Sequence, residues 1–171
     1  MSKSIKKVWN IVTSVLVAAF VILALLLVGA RVFGLQVYAV LSGSMEPTYH
    51  TGSLIYVQKT APEKIRAGDP ITFVLDESLV VATHRVVAVD EENRCFYTKG
   101  DANEAEDGSP VYFENLIGKP VLTIPYLGYV SNFIQKPPGI YIAIGVGGIV
   151  LLLAFLPDLL SGRKKEEDHQ A

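Results

Sequence analysis

The sequence predicts a mainly β fold: one antiparallel, β-rich extracytoplasmic domain flanked by two transmembrane helices. Two observations lead to this prediction. The apolar residues, half of the 171-residue chain, concentrate in one run near each end. The middle of the chain alternates short segments rich in Val, Ile, Tyr, Phe and Thr with turn residues, which is the pattern of short paired strands. The formal net charge of −2 gives no sign of the basic stripe that nucleic-acid binding normally leaves.

The first apolar run, residues 11–30, is about one bilayer long, since a spanning helix needs roughly 20 apolar residues. Thr13 and Ser14 interrupt it, and both hydroxyls can bond back to the helix backbone. The lysines among the first seven residues favour a cytoplasmic N-terminus by the positive-inside rule. We therefore place a cytoplasmic segment at residues 1–10 and a transmembrane helix at residues 11–32.

A cleavable signal peptide is the alternative for this run, because Val-Gly-Ala at residues 28–30 resembles a small-residue cleavage site. The apolar core of a signal peptide has about 7 to 15 residues. The longer run in this chain favours a retained anchor.

The second apolar run covers residues 140–156, and three basic residues follow at 163–165. A buried core helix is the alternative, since three glycines weaken the run, but the basic stop favours a membrane span. We place this helix at residues 139–160 and a cytoplasmic tail at residues 161–171. With both termini in the cytoplasm, the domain of residues 33–138 lies outside, in a multi-pass protein of the cell membrane.

Six segments of the middle domain are predicted strands, because β-branched and aromatic residues dominate them and turn residues separate them. No segment between residues 34 and 115 keeps a helical apolar period for three turns. The single cysteine, Cys95, cannot form an internal disulfide. The predicted strands are residues 36–41, 53–58, 70–75, 79–90, 95–98 and 120–124.

A Ser-Gly-Ser-Met-Glu-Pro segment at residues 42–47 follows closely after the first predicted span. A connection of about 12 residues reaches at most about 40 Å, so a hydroxyl in this segment works close to the membrane surface. A serine hydroxyl is a weak nucleophile until a neighbouring base takes its proton.

Histidines, the usual bases, occur only at His50, His84 and His169. His50 lies in a turn-like stretch and is predicted to be a surface residue, and His169 lies in the charged tail. His84 lies inside a predicted strand, where an imidazole on an apolar face is either a core residue with one satisfied hydrogen bond or a general base. By alternation, that face also carries Val80, Ala82, Val86 and Ala88.

An acidic group would be needed to fix the tautomer of the imidazole and to stabilise its cation. The acidic, glycine-containing loop after the predicted strand 95–98 supplies two candidates, Asp101 and Asp107. Taken alone, either residue also fits a solvated turn.

Four motifs, taken in order, resemble those of type I signal peptidases. They are Ser-Gly-Ser-Met-Glu-Pro-Thr at residues 42–48, Gly-Asp-Pro-Ile-Thr-Phe at 68–73, Thr-His-Arg-Val-Val at 83–87, and Lys-Gly-Asp at 99–101 with Asp107. The match runs through nearly the whole middle domain. His84 stands where the common bacterial branch has lysine, as in the endoplasmic-reticulum, archaeal and spore-former type.

The resemblance implies Ser44 as nucleophile and His84 as base. Asp107 matches the triad acid, with Asp101 in a supporting role. The resemblance also implies an oxyanion hole formed by the backbone N–H of Ser44 and the hydroxyl of Ser42. The chain departs from the type directly after Asp101, where it has Ala-Asn instead of the common Asn-Asn. The choice between the two aspartates therefore stays open at the level of sequence.

By the same resemblance, the protein is a membrane-anchored serine endopeptidase that cleaves N-terminal signal peptides from exported preproteins after small residues, through an acyl-enzyme. Residues 37–41 and 80–82 would line shallow pockets and pair with the substrate as an added strand, with plain core as the alternative for these residues. The expected partners are preproteins with signal peptides, the lipid bilayer and secretion-channel components. No metal or other cofactor is implied, because three scattered histidines and one cysteine give no ligand spacing.

Three alternatives differ in the residues that they use. A sortase-like cysteine transpeptidase would use Cys95 with His84 and Arg85, although the expected Thr-x-Thr-Cys setting is missing. A Ser-Lys dyad would use Lys99 in place of the histidine. A membrane-anchored β-domain that scaffolds an export or matrix-assembly complex would need none of these residues.

Overall fold

The computed structural model describes residues 3–75 and 80–167, and the chain divides into two compact units. One unit joins Met1–Leu27 to Phe133–Ala171, and the other is Val28–Asn132. The first unit is helical. The second contains all the strands that the structure describes.

Three α-helices are present in the described residues, α1 (Lys3–Leu27), α2 (Leu127–Ile134) and α3 (Gly139–Glu167). In the helical unit, the indole Nε1 of Trp9 donates a hydrogen bond to the carbonyl of Leu153 at 3.3 Å. The ring of Phe20 fills the space that a Cβ at Gly147 would occupy. The earlier residue of α1 thus contacts the later residue of α3, and the later residue of α1 contacts the earlier residue of α3. These two helices therefore pack antiparallel.

Among the described residues, α1 is the one helix that is by itself long and apolar enough to cross a membrane, with a mean hydropathy of 2.7. Away from the face that packs on α3, its apolar side chains are exposed, as is typical of a helix solvated by lipid. The hydroxyl of Thr13 donates to the carbonyl of Trp9 at 2.9 Å, as the sequence predicted. A second span is obtained only if α2 and Gly139–Phe155 are counted together as one broken helix. A 3₁₀ helix, Gly29–Phe33, follows α1.

In the residues that the structure describes, seven antiparallel strands form one sheet in the order β1-β2-β7-β3-β4-β5-β6. The strands are β1 (Leu35–Ala39), β2 (Leu54–Gln58), β3 (Pro70–Val74), β4 (Val81–Asp90), β5 (Cys95–Lys99), β6 (Val111–Tyr112) and β7 (Leu116–Ile124). The first part of β7 pairs with β3 and its last part pairs with β2, so this strand joins the two halves of the sheet. The predicted antiparallel, mainly β fold is confirmed.

Each predicted strand overlaps an observed one, but β6 and α2 were not predicted. Residues 76–78, between two predicted strands, and the first residue of the predicted strand 79–90 lie outside the described residues, as do the last four residues of the predicted tail. β7 begins at Leu116 rather than at residue 120. A Cβ at Gly118 would lie 2.1 Å from the carbonyl oxygen of Gln58, so glycine lets the two backbones approach. The Gly-Lys-Pro sequence resembles a turn, although it continues the strand.

Two clusters of buried side chains hold the sheet together. The larger cluster lies against β3, β4 and β5, and the smaller one lies against β1 and β2. Met45 and Tyr49 belong to the smaller cluster, although they lie in the loop between β1 and β2. The larger cluster consists of Ile65, Ile71, Phe73, Val86, Phe96, Val111 and Phe113.

Two threonines on neighbouring strands allow a matched test of the polar groups inside this sheet. In the described part of the chain, the buried hydroxyl of Thr123 has no hydrogen-bond partner, whereas those of Thr72 and Thr83 bond to each other at 2.8 Å. We expect Thr123→Val to leave the free energy of unfolding unchanged or to raise it by up to about 1 kcal/mol, because it removes an unsatisfied group. Thr72→Val should lower it by about 1–2 kcal/mol. Unfolding of the detergent-solubilised protein measures both, and a larger loss for Thr123→Val would contradict this assignment.

Candidate active site

The loop between β1 and β2 holds Ser44 in a fixed place because its neighbours are buried. Met45 is 2% exposed and Tyr49 is 9% exposed, both within the smaller core cluster. The N–H of Tyr49 donates to the carbonyl of Met45 at 2.9 Å, and the N–H of Glu46 donates to that of Gly43 at 3.0 Å. Ser44 thus sits in a tight turn whose next side chain is anchored in the core.

Glu46 and His50 brace the outer side of this loop. The Glu46 carboxylate accepts the N–H of Thr51 at 3.1 Å and pairs with the imidazole of His50. The hydrogen bond from the Thr51 backbone, followed by that from His50, lowers the pKa of Glu46. His50 is largely exposed, which confirms its prediction as a surface residue.

His84 lies on the inward face of β4, at the margin of the larger core cluster. It pairs with Ile71 in β3 and packs edge-on against Phe73, with ring centroids 6.2 Å apart. Ala82 and Val86 share this face with it, as alternation predicted. The predicted place of Ala88 on the same face is wrong, because a β-bulge between Val86 and Ala88 shifts the alternation. Beyond the bulge, Val89 packs against the core instead.

Ser44, His84 and Asp107 form one line of hydrogen bonds. The Nε2 atom of His84 lies 3.1 Å from the Oγ of Ser44, and its Nδ1 lies 2.6 Å from Oδ2 of Asp107. An ionised carboxylate only accepts, so the contact with Asp107 assigns a proton to Nδ1. In the neutral imidazole, Nε2 is then unprotonated and can accept from the serine hydroxyl. The side chains of His84 and Asp107 are 14% and 22% exposed. This tautomer is the one that a general base next to a serine requires.

The loop after β5 carries Asp107 and contacts the backbone of Ser44, so it connects the two hydrogen-bond partners of His84. The N–H of Asp107 donates to the carbonyl of Thr98 at 2.8 Å, and the N–H of Ala102 donates to the carbonyl of Ser44 at 2.9 Å. A Cβ at Gly100 would lie 2.6 Å from that same serine carbonyl. Glycine in the Lys-Gly-Asp motif therefore allows the loop to lie directly on the backbone of the serine.

Asp101 makes different contacts from Asp107. The guanidinium of Arg85 donates to both of its carboxylate oxygens, from Nε at 2.7 Å and from the terminal nitrogen at 2.6 Å. The hydroxyl of Thr48 donates to it at 2.5 Å. The hydrogen bonds from Arg85 lower the pKa of Asp101 against the opposing effect of burial, and Thr48 adds to the lowering. Of the two candidate acids, the structure brings Asp107 to the imidazole and Asp101 to the guanidinium.

Ser42, the other predicted oxyanion residue, lies next to Ser44, the predicted nucleophile. Its Oγ is 3.3 Å from the Oγ of Ser44, and both residues line the same cleft. A hydroxyl at this point can turn toward an oxygen that develops negative charge above the serine.

A cleft of about 890 Å³ opens beside this line of hydrogen bonds. Residues 38–42 line one side of it and residues 80–84 line the other. Within the described residues, β1 pairs only with β2, and residues 81–84 pair with β3 but not with β5. Both walls thus present an unpaired strand edge to the space between them.

Comparison with known proteins gives a family for this arrangement. The family model described as signal peptidase, peptidase S26, matches residues 12–99. The chain belongs to this signal peptidase family. It is 39% identical over 121 residues to signal peptidase I W of Bacillus subtilis. The matched region covers 65% of this chain and 63% of that protein. It is 33% identical over 129 residues to the signal peptidase complex catalytic subunit SEC11C of Rattus norvegicus, which covers 68% of this chain and 67% of that subunit.

The resemblance to signal peptidases is thus confirmed, and the matched relatives are of the spore-former and endoplasmic-reticulum kinds. The alternative centred on Cys95 is not supported. This cysteine is buried, and in the sheet it lies opposite Asp90 of β4, far from His84. Asp90 lies about 20 Å along the strand from His84 at ~3.3 Å per residue. Lys99 does not line the cleft, whereas Ser44 and His84 do.

Three residues around the signal peptidase motifs were not predicted as residues of the serine site, and Arg85 was named only for the cysteine alternative. Thr98 bonds to Asp107, Arg85 pairs with Asp101, and Thr48 bonds to that same aspartate. Each lies inside a motif or directly before one, which is the one signal that could have pointed to them. Their partners follow from contacts between distant segments, which a single sequence does not reveal.

The Arg85–Asp101 pair predicts a pH dependence of stability. Because the pKa of Asp101 is lowered on folding, its contribution is fully present above about pH 4 and is lost as the pH falls through the lowered value. We expect Asp101→Asn to reduce the free energy of unfolding by about 1–3 kcal/mol at pH 7, with the difference from wild type shrinking below about pH 4. Glu104→Gln removes one exposed charge from the same loop and should stay close to wild type. A constant difference for Asp101→Asn between pH 7 and pH 2.5, measured by thermal unfolding in detergent, would contradict the assignment.

Proposed function

We propose that the protein is a membrane-anchored serine endopeptidase that removes N-terminal signal peptides from exported preproteins after small residues. The observation on which this depends is the line of hydrogen bonds from Ser44 through His84 to Asp107, at the wall of the cleft. Membership of the signal peptidase family supports the choice of substrate.

In the proposed reaction, the Oγ of Ser44 attacks the scissile carbonyl while Nε2 of His84 takes its proton. Asp107 keeps the proton on Nδ1 and stabilises the imidazolium that forms. The tetrahedral intermediate collapses, the C–N bond breaks, and His84 returns the proton to the leaving amine. A water molecule, deprotonated by the same imidazole, then hydrolyses the acyl-enzyme ester and regenerates the serine.

We propose that the backbone N–H of Ser44 and the hydroxyl of Ser42 stabilise the oxyanion. The 3.3 Å separation of the two serine hydroxyl oxygens supports this role, because it brings Ser42 next to the reacting carbonyl. Loss of one oxyanion donor typically lowers the rate by about 10² to 10³.

The substrate would bind as an extended strand in the cleft. The two unpaired strand edges, at residues 38–39 of β1 and 81–84 of β4, offer backbone groups on both sides of such a segment. Alternate side chains of an added strand would then enter apolar walls, in agreement with the small-x-small pattern before cleavage sites.

We propose that α1 and α3 both cross the membrane, with both termini in the cytoplasm. The antiparallel packing of the two helices supports this topology, because it brings the start of α1 and the end of α3 to one side. Basic residues flank the apolar runs at those two positions, among the first seven residues and at 163–165. The loop of Ser44 would then act on the outer side. Interaction with secretion-channel components stays a prediction from the sequence.

Processing of a tagged preprotein in liposomes, with purified full-length variants, tests the proposal. We expect Ser44→Ala and His84→Ala to lower the cleavage rate by about 10³ or more, since each removes a partner of the same proton transfer. Lys99→Ala should process at the wild-type rate, because the lysine does not line the cleft.

Cleavage by Ser44→Ala at the wild-type rate would refute the peptidase and favour the scaffold alternative. Loss of cleavage in Lys99→Ala with retention in His84→Ala would instead favour the serine–lysine dyad.

A further inference from the structure

We propose that Thr98 is a positioning residue for the reaction, which fixes the Asp107 carboxylate against His84. This inference rests on the proposed function. Thr98 bonds to Asp107 at two points: its carbonyl accepts the backbone N–H of Asp107 at 2.8 Å, and its hydroxyl donates to Oδ2 at 2.6 Å. The same Oδ2 accepts the Nδ1–H of His84 at 2.6 Å.

Asp107 needs such a constraint because of where it lies. It belongs to the irregular stretch between β5 and β6, in which no ladder of strand hydrogen bonds fixes the backbone. The terminal torsion of an aspartate is also soft, so its carboxylate rotates easily unless hydrogen bonds hold it. In the described part of the chain, the hydrogen bonds of this carboxylate are those to Thr98 and His84. The carboxylate orients His84, so Thr98 is the residue that holds the carboxylate in place.

Thr98 is itself rigid and remote from the substrate. It is 1% exposed and pairs across the sheet with Val86, a member of the larger core cluster. It does not line the cleft. A β-branched side chain in a strand also has few accessible rotamers. Its hydroxyl can therefore orient the carboxylate without contacting the substrate.

Loss of the Thr98 hydroxyl should thus slow the chemical step and leave substrate binding unchanged. A carboxylate rotated away from Nδ1 no longer holds the productive tautomer and no longer stabilises the imidazolium. Hydrogen bonds to charged groups are stronger than those between neutral groups. We therefore expect kcat to fall by about tenfold to a hundredfold. The KM should stay within about twofold of wild type, because the cleft walls are unchanged.

Two comparisons isolate the hydroxyl, one between wild type and Thr98→Val and one between Thr98→Ser and Thr98→Ala. Thr98→Val keeps the branched shape and removes the hydroxyl, whereas Thr98→Ser and Thr98→Ala both lack the methyl group and differ in the hydroxyl. With the full-length protein in detergent and a signal-peptide substrate, we expect kcat to fall in Thr98→Val and Thr98→Ala. Thr98→Ser should recover kcat to within about threefold of wild type. Thr123→Val, the same substitution at an unpaired hydroxyl, should retain the wild-type kcat.

The outcome of the Ser and Ala pair decides the question even if Thr98→Val fails to fold. Equal kcat in Thr98→Ser and Thr98→Ala would overturn the positioning role, and so would a loss that appears in KM alone. A wild-type protein that does not cleave, or a Ser44→Ala variant that does, would instead overturn the proposed function together with this inference. An active wild type with an unchanged Thr98→Val would overturn the inference alone.

Discussion

The hydrogen bond from Nδ1 of His84 to Asp107 is the interaction on which the site depends. It sets which imidazole nitrogen is free, and only the free nitrogen can accept the proton of Ser44. The bond in turn requires that the loop after β5 lie close to the loop after β1. The contacts of Gly100 and Ala102 with the serine backbone meet that requirement, so the two loops position each other.

The loops after β1 and β5 can lie close together because the strands of the sheet differ in length. β4 extends beyond β5, and residues 81–84 pair on one side only. The free edge leaves room for a substrate and for the loop that bears Asp107, while Ile71 and Phe73 support His84 from beneath. The salt bridge of Arg85 with Asp101, on the same loop, adds a further attachment that involves neither His84 nor Asp107.

The sequence alone predicted the strands that are rich in β-branched and aromatic residues and bounded by turn residues, and the motif residues whose chemistry is distinctive. It did not predict β6, which has two residues, or the first half of β7, whose Gly118 and Pro120 resemble a turn. It could not choose between Asp101 and Asp107, because the choice depends on how an irregular loop folds back on β4 and β5. Thr98 carries no chemical signature of its own, and its role follows only from its two contacts with Asp107.

The proton position on His84 is the most direct measurement of the central interaction. Nitrogen-15 NMR of the detergent-solubilised protein with labelled histidine, with the His84→Ala variant to assign the signal, distinguishes the two tautomers at neutral pH. We expect the proton on Nδ1 in the wild type, and loss of this preference in Asp107→Asn. A proton on Nε2 in the wild type, or a tautomer unchanged by Asp107→Asn, would contradict the account.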